Sequence, residues 1–342
     1  MKVINKINAA KFLEELGSQY KVVVPLQSGG ELTFGDSDPH HQILDYQGLT
    51  HYSPKGYFFP ESEALFTFEI SGQGKTETIS IKEHVDETKT IIWGIRPCDL
   101  NALKVLDAIF LSEPIDPYFQ ARRMNTLLFA LNCNKAGKNC FCTSVSAGPF
   151  VHEGFDLGFT DLGDEFLVQI GSKAGEKLIA EHRALFSDAS REQEEKGQAL
   201  EQESKSSFAS SLDVEKLRAK LPHAFHSPLW DEQVTKCKIC GTCSFVCPTC
   251  HCFNIEDLKR SKKVVQRMRY WDSCQLSGFT QMAGHNSRPN QADRWRQKIL
   301  DKFLYLPSAY PGLIGCVGCG RCIEFCQADL KIVDVLGRVA NE

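Results

Sequence analysis

Cys237-Lys-Ile-Cys240-Gly-Thr-Cys243-Ser-Phe-Val-Cys247-Pro248 is the stretch on which the reading of this chain turns. Its Cys-x2-Cys-x2-Cys-x3-Cys-Pro spacing is the bacterial ferredoxin run. Cys316-Val-Gly-Cys319-Gly-Arg-Cys322-Ile-Glu-Phe-Cys326 repeats it, with Gln327 in place of the proline. The spacing has a physical reason. A cuboidal [4Fe-4S] cluster takes one thiolate per iron, and three cysteines at two-residue gaps let a tight loop wrap three corners. The fourth cysteine lies beyond the loop, at the start of a helix leading away, and reaches the other cluster. The pattern therefore predicts Cys237, Cys240, Cys243 and Cys326 around one cluster, and Cys316, Cys319, Cys322 and Cys247 around a second. Gly241, Gly318 and Gly320 let the backbone turn and bring amides close to the sulfurs. Structural zinc is the competing reading. It pairs two CxxC units across a longer spacer and has no use for a third cysteine two residues on. The 68 residues between Cys247 and Cys316 exceed a minimal two-cluster ferredoxin, which points to a helical ferredoxin-like module.

Working outward, fifteen cysteines in 342 residues are the anomaly of the composition. The count is odd and no signal-peptide pattern opens the chain, so the reading is reduced thiolates in a cytoplasmic protein. A net charge of -4 offers no global reason to bind nucleic acid. No stretch approaches 18 consecutive apolar residues, so no membrane span is expected. The length favours two domains.

The cysteines divide the chain in the same way. None precedes Cys98, four lie at 98, 133, 140 and 142, and the next is Cys237. Residues 187–211 in that gap are almost entirely polar and read as a linker or a solvated helix. A boundary near 210 follows: a mixed α/β domain over 1–210, ending in that polar segment, and a helical two-cluster domain over 211–342, an α+β chain overall. Before the boundary, Ile7–Leu16 reads as a helix, and Lys21–Leu26, Thr90–Ile95, Thr126–Leu131 and Phe166–Ile170 as strands. Leu100, Leu103, Leu106 and Phe110 recur at helical spacing, with Asp99 as the expected N-cap. After it, helices are expected over 212–220, 228–236, 247–263 with breaks, and 290–303.

Weaker signals remain. Cys98 precedes a predicted helix, where the dipole and free amides favour a thiolate. Cys140-Phe-Cys142 on a strand would point both sulfurs the same way, and the intervening loop turns back towards the helix start. Cys98, Cys133, Cys140 and Cys142 thus read either as ligands of a third cluster or as buried thiols. Cys250, Cys252 and Cys274 read as free thiols packed near the clusters. Lys259 to Arg269 carries six basic residues and no acid; such a stripe can bind nucleic acid, but is more often a solvated face, and here reads as one, as a dock for an acidic partner or as an offset to cluster charge. Gly74-Lys75-Thr76 fails as a P-loop, because Glu69 stands where the first glycine belongs. No GxGxxG follows a strand and opens a helix, so no flavin or NAD(P) site is expected on this chain.

Several of these residues recur together in one family: Gly94-Ile-Arg-Pro-Cys98-Asp99, Asn132-Cys133, Cys140-Phe-Cys142, and Cys247-Pro-Thr-Cys250-His-Cys252. Trp271-Asp-Ser-Cys274, Gly284-His285-Asn286 and Gly315-Cys-Val-Gly-Cys-Gly-Arg-Cys322 complete the set. The chain resembles the iron-sulfur β subunit of cytoplasmic NAD(P)-linked nickel-iron hydrogenases (sulfhydrogenases) from about residue 90 to 326. It is also similar to the iron-sulfur subunits of anaerobic sulfite reductase and of flavin oxidoreductases tied to heterodisulfide reductase. The resemblance implies an electron-transfer subunit between a flavin- and NAD(P)-binding partner and a catalytic subunit, with no catalytic residue of its own. It also implies that Cys98, Cys133, Cys140 and Cys142 hold a third [4Fe-4S] cluster. The alternative from the residues is a self-contained iron-sulfur reductase with a substrate-binding cluster, against which twelve cysteines for three clusters leave no open iron.

Overall fold

The computed structural model describes residues 1–38, 40–72 and 76–341; Gly74 and Lys75 of the rejected P-loop lie outside them. Two apolar runs organise the first half. β6 (Thr90–Ile95) and β7 (Thr126–Leu131) pair in parallel near the middle of an eight-stranded sheet. Every β6 residue is buried, which is why the run is apolar throughout rather than alternating. The sheet runs β10 (Ser187–Asp188), β1 (Lys2–Asn5), β9 (Glu165–Ile170), β8 (Leu157–Asp161), β7, β6, β2 (Lys21–Ser28), β3 (Glu31–Asp36). Its centre, β2-β6-β7-β8, is parallel and its flanks are antiparallel.

Ile91 and Trp93 face the core beneath helix Lys6–Leu16, while Ile92 and Ile95 meet Leu100, Leu103 and Leu106 of helix Pro97–Phe110 on the other side. Residues 92 and 95 share a face because the strand bulges at Gly94. That residue has φ +79°, and a Cβ there would press on Pro25 and Tyr46. The helix that follows starts earlier than the spacing predicted. Pro97, which has no N–H to satisfy, takes the first position after Arg96, and Asp99 lies inside the first turn rather than at the N-cap.

A second sheet corrects the expectation of helix over 247–263. β11 (Phe253–Lys259) and β12 (Val264–Trp271) form a hairpin that pairs with β4 (Ser62–Ser71), itself paired with β5 (Thr78–Glu83). Phe253 and Ile255 alternate with polar residues, and Val264-Val265 opens the return strand, a pattern of period two. The hairpin takes apart the basic stripe. Arg267 pairs with Asp257 at 2.7 Å, and Arg269 is buried between Glu63 and Asp116. Lys259, Arg260, Lys262 and Lys263 remain exposed. The sheet crosses residue 210, joining strands from both halves of the chain.

The polar segment 187–211 is mostly a solvated helix, Arg191–Ser206, closed by a reciprocal Ser190–Gln193 capping box. Gly197 lets it lie against Leu167 of β9. Its buried Ser204 donates its hydroxyl to the carbonyl of Cys133. Beyond it, helices Val214–Lys220, Leu229–Val234 and Ile332–Asn341 surround a longer helical stretch. That stretch is α over Gln291–Leu300, π over Asp301–Tyr305, and α again over Leu306–Ala309. Leu217, Trp230, Ile299, Phe303 and Leu336 form its core, which also takes in Ala102, Phe141 and Val145 from the first half.

Candidate metal centres

The two cysteine runs have the same local backbone. In the first, Ile239 and Gly241 are left-handed (φ +55° and +74°) and helix Thr242–Phe245 follows. In the second, Gly318 and Gly320 take the same places (φ +61° and +80°) before helix Arg321–Glu324. The turn aims an amide at the leading sulfur in each: Ile239 N–H on Cys237 Sγ and Gly318 N–H on Cys316 Sγ, both at 3.5 Å. At the far end, the Leu330 amide donates to Cys326 Sγ at 3.4 Å. Successive amides converging on sulfur are the backbone's means of stabilising a negatively charged metal–thiolate group.

The third set is built against the second run. Cys98 lies in the first turn of its helix, Cys133 follows β7, and Cys142 begins the 3-10 turn Cys142–Val145. Residues 140–142 are therefore not the strand expected from the sequence, and the two sulfurs are presented by a loop and a turn. Phe141 N–H donates to Gly318 carbonyl at 2.8 Å, and Cys140 Sγ to Cys319 carbonyl at 3.3 Å. The approach is so close that a Cβ on Gly318 would lie 2.6 Å from the Cys142 nitrogen, and one on Gly320 2.5 Å from the Asn139 oxygen.

These backbones enclose three cysteine-lined cavities. The first is lined by Cys237, Cys240, Cys243, Cys322 and Cys326. The second is lined by Cys243, Cys247, Cys316, Cys319 and Cys322. Cys98, Cys133, Cys140, Cys142 and Cys319 line the third. Cys243 and Cys322 thus border the first two cavities, and Cys319 borders the second and third. The cavities stand in a row. Each run thus sends its third and fourth cysteines into the lining of the other run's cavity. Cys250, Cys252 and Cys274 line none of the three.

Buried positive charge surrounds the row, a feature that the sequence expectations do not include. Arg321 is fully buried and makes a two-pronged ion pair with Asp99 at 2.6 and 2.8 Å, its Nε donating to the Thr50 carbonyl. Arg96 is buried beside the third cavity, over the ring of Tyr46, and its Nε has no hydrogen-bond partner among the described residues. Lys55 donates to the carbonyls of Cys247 and Cys250 at 2.8 and 3.0 Å, 4.1 Å from the ring of Trp271. Lys298 donates to the Cys243 carbonyl at 2.8 Å, and Lys302 to Cys247 Sγ at 3.4 Å. A signal for two of these was available. Trp295, Lys298, Ile299, Lys302, Phe303 and Leu306 recur at helical spacing, so both lysines stand on the apolar stripe of their helix.

The electrostatics divide accordingly. Burial pushes the Cys316 and Cys140 thiols up to about 12 and raises Cys98, Cys133, Cys319 and Cys322 as well. For Cys98, desolvation outweighs the helix-start effect that favoured a thiolate. The exposed Cys240 moves the other way, lowered by a hydrogen bond with Thr242. Cys247 is held well below the usual thiol value, first by the hydrogen bond with Cys250 and then, against burial, by the ammoniums of Lys302, Lys298 and Lys55. Burial lowers Lys55. It also opposes the charge on Lys298 and Lys302, but negative charge on the surrounding cysteine sulfurs overcomes it and holds both above the usual lysine value. Grouped thiols, amides turned on sulfur and buried cations facing them form a donor set suited to iron-sulfur clusters.

Residues 236–330 match the family model of a 4Fe-4S dicluster domain. The whole chain is similar to sulfhydrogenase 2 subunit beta of Pyrococcus furiosus, 33% identical over 331 residues, covering 96% of this chain and 95% of that protein. The two matches differ in extent: the dicluster model covers both runs and the hairpin between them, and the similarity to the relative extends through the eight-stranded sheet as well.

Proposed function

The chain belongs to the sulfhydrogenase β-subunit family, and on that premise we propose that it is an electron relay. It would link a partner that binds flavin and NAD(P) to a catalytic subunit of hydrogenase, sulfite or sulfur reductase, or heterodisulfide reductase type. In this reading the chain is cytoplasmic, holds three [4Fe-4S] clusters, and binds neither flavin nor NAD(P). Cys237, Cys240, Cys243 and Cys326 hold the first cluster, and Cys316, Cys319, Cys322 and Cys247 the second. Cys98, Cys133, Cys140 and Cys142 hold the third. When bound, such clusters supply one-electron chemistry, which links a two-electron flavin to a distant acceptor.

The observation that carries the reading is the row of adjoining cysteine-lined cavities. A relay needs neighbouring redox centres, and shared walls at Cys243, Cys322 and Cys319 keep three such centres close. The chain's own residues hold them there. Gly318 and Gly320 admit the 139–142 loop, and the Asp99–Arg321 pair locks the start of the Cys98 helix to the second run. The helices around the paired runs then form a ferredoxin-like module into which the β11–β12 hairpin is inserted. Among the described residues, no helix is long and apolar enough to cross a membrane.

Iron content tests the count. The full chain, reconstituted anaerobically, is expected to bind about 12 irons, and the Cys133→Ala, Cys140→Ala double variant about 8. An unchanged iron content in the double variant would return those cysteines to buried thiols. Reduction of the isolated chain by NADH or NADPH, with no flavoprotein present, would overturn the relay itself.

A further inference from the structure

Lys298 and Lys302 are 3% and 5% exposed, and burying an ammonium is costly unless negative charge or full hydrogen bonding compensates it. Lys302 has both of the marks of a charged group. Its Nζ meets three acceptors: Cys247 Sγ at 3.4 Å, Thr249 Oγ1 at 2.9 Å and the Gly315 carbonyl at 2.8 Å. Thr249 gives its hydroxyl proton to the Gly315 carbonyl at 2.7 Å and stands 3.2 Å from Cys247 Sγ, so lysine, hydroxyl and sulfur form one cluster in which the hydroxyl oxygen accepts from the lysine. Three acceptors call for three N–H groups, which an ammonium has and an amine lacks. Neither lysine forms an ion pair with a carboxylate among the described residues. Asp301, adjacent in sequence, is half-buried and contributes only a distant field. What the two ammoniums do face is sulfur: both line the second cavity, and Lys298 also lines the first.

The helix is shaped for this. It passes from α to π at Asp301, and Gly315, the residue before the second run, donates its N–H to the Lys302 carbonyl at 2.8 Å. A Cβ on Gly315 would lie 2.8 Å from the Lys302 Cα, so the glycine permits the contact. π turns recur at functional sites. Here one seats a lysine at the root of the second run.

We propose that Lys302 and Lys298 set the reduction potential of the cluster in the second cavity, raising it by placing positive charge against its ligands. The inference rests on the reading of the two runs as cluster ligands. Adding an electron to a buried cluster adds negative charge where solvent cannot help, and charge and hydrogen bonding at the sulfurs are the protein's levers on that step. Lys302 acts on the second cluster, through Cys247. Lys298 acts on both, because it stands in the wall between them.

The test is an EPR-monitored redox titration of the intact, iron-loaded chain, with the second cluster's signal identified by its absence from Cys316→Ala. In Lys302→Met, the ratio of reduced to oxidised second cluster at a fixed solution potential is expected to fall at least tenfold. That corresponds to a shift of about 59 mV to more negative potential for a one-electron couple, with the first cluster unmoved. Lys298→Met removes a charge held by a single carbonyl, and both clusters should become harder to reduce. It decides the matter if Lys302→Met fails to load iron. A full iron complement with an unshifted or raised second-cluster potential overturns the proposal, and so does loss of iron in both variants, which would make the lysines assembly residues. A wild-type chain holding fewer than about 8 irons would instead overturn the ligand reading beneath it.

Discussion

The two cysteine runs share a spacing and a backbone, yet they stand in opposite surroundings. In the first, the second cysteine, Cys240, is exposed and the left-handed residue before it is a half-exposed isoleucine, Ile239. In the second, Cys319 is buried and the corresponding residue is Gly318, packed against the backbone of Cys142. Thr242, whose hydroxyl holds the Cys240 thiol below its usual value, corresponds to Arg321, fully buried on Asp99 and Thr50. The difference teaches that the motif specifies a loop, and the rest of the chain specifies what the loop faces. The first run looks outward. The second is the junction where the eight-stranded sheet, the third cysteine set and the lysine-bearing helix meet.

The largest effects should come from breaking the exchange of ligands between the runs. Cys247→Ser is expected to remove about four irons from the cluster of Cys316, Cys319 and Cys322, and Cys326→Ser about four from that of Cys237, Cys240 and Cys243. Iron analysis with EPR separates the two; defects confined to the mutated run's own cluster would show that the runs do not exchange ligands. Next comes the buried ion pair. Asp99→Ala leaves Arg321 unpaired at zero exposure, which should cost about 3–5 kcal/mol in denaturant unfolding. The corresponding change in the first run, Thr242→Val, should cost about 1 kcal/mol and let the Cys240 thiol rise.

Glycine substitutions sharpen the comparison further. Gly241→Ala should lose about 1–3 kcal/mol through left-handed strain, because its nearest obstacle is the side chain of Phe245. Gly318→Ala meets backbone instead, and should lose measurably more than that in the same unfolding experiment. The smallest effect is expected at Ile239→Gly. Relief of a left-handed β-branched residue is offset by the entropy of glycine, leaving a change of about 1 kcal/mol or less. Equal costs at 241 and 318 would mean that the 139–142 loop yields to the second run.

Much of this was legible without coordinates. β6 and β7 appear where their apolar runs predicted. What escaped was non-local. Phe253–Lys259 alternates well enough to be a strand, but it is one because β12 and β4 supply a sheet to join. Asp99 looked like a cap because the residue type suits one; Pro97 took the helix start, and an arginine 222 residues away took the carboxylate.

The sequence by itself determined the cysteine runs, their left-handed turns and the central strands, since these depend on spacing and on backbone preferences within a few residues. Only the tertiary structure decided that the three cysteine sets adjoin, that Cys319 is buried while Cys240 is not, and that Lys298 and Lys302 meet sulfur instead of water. Burial and electric field are sums over residues far apart in the chain. No window of sequence contains them.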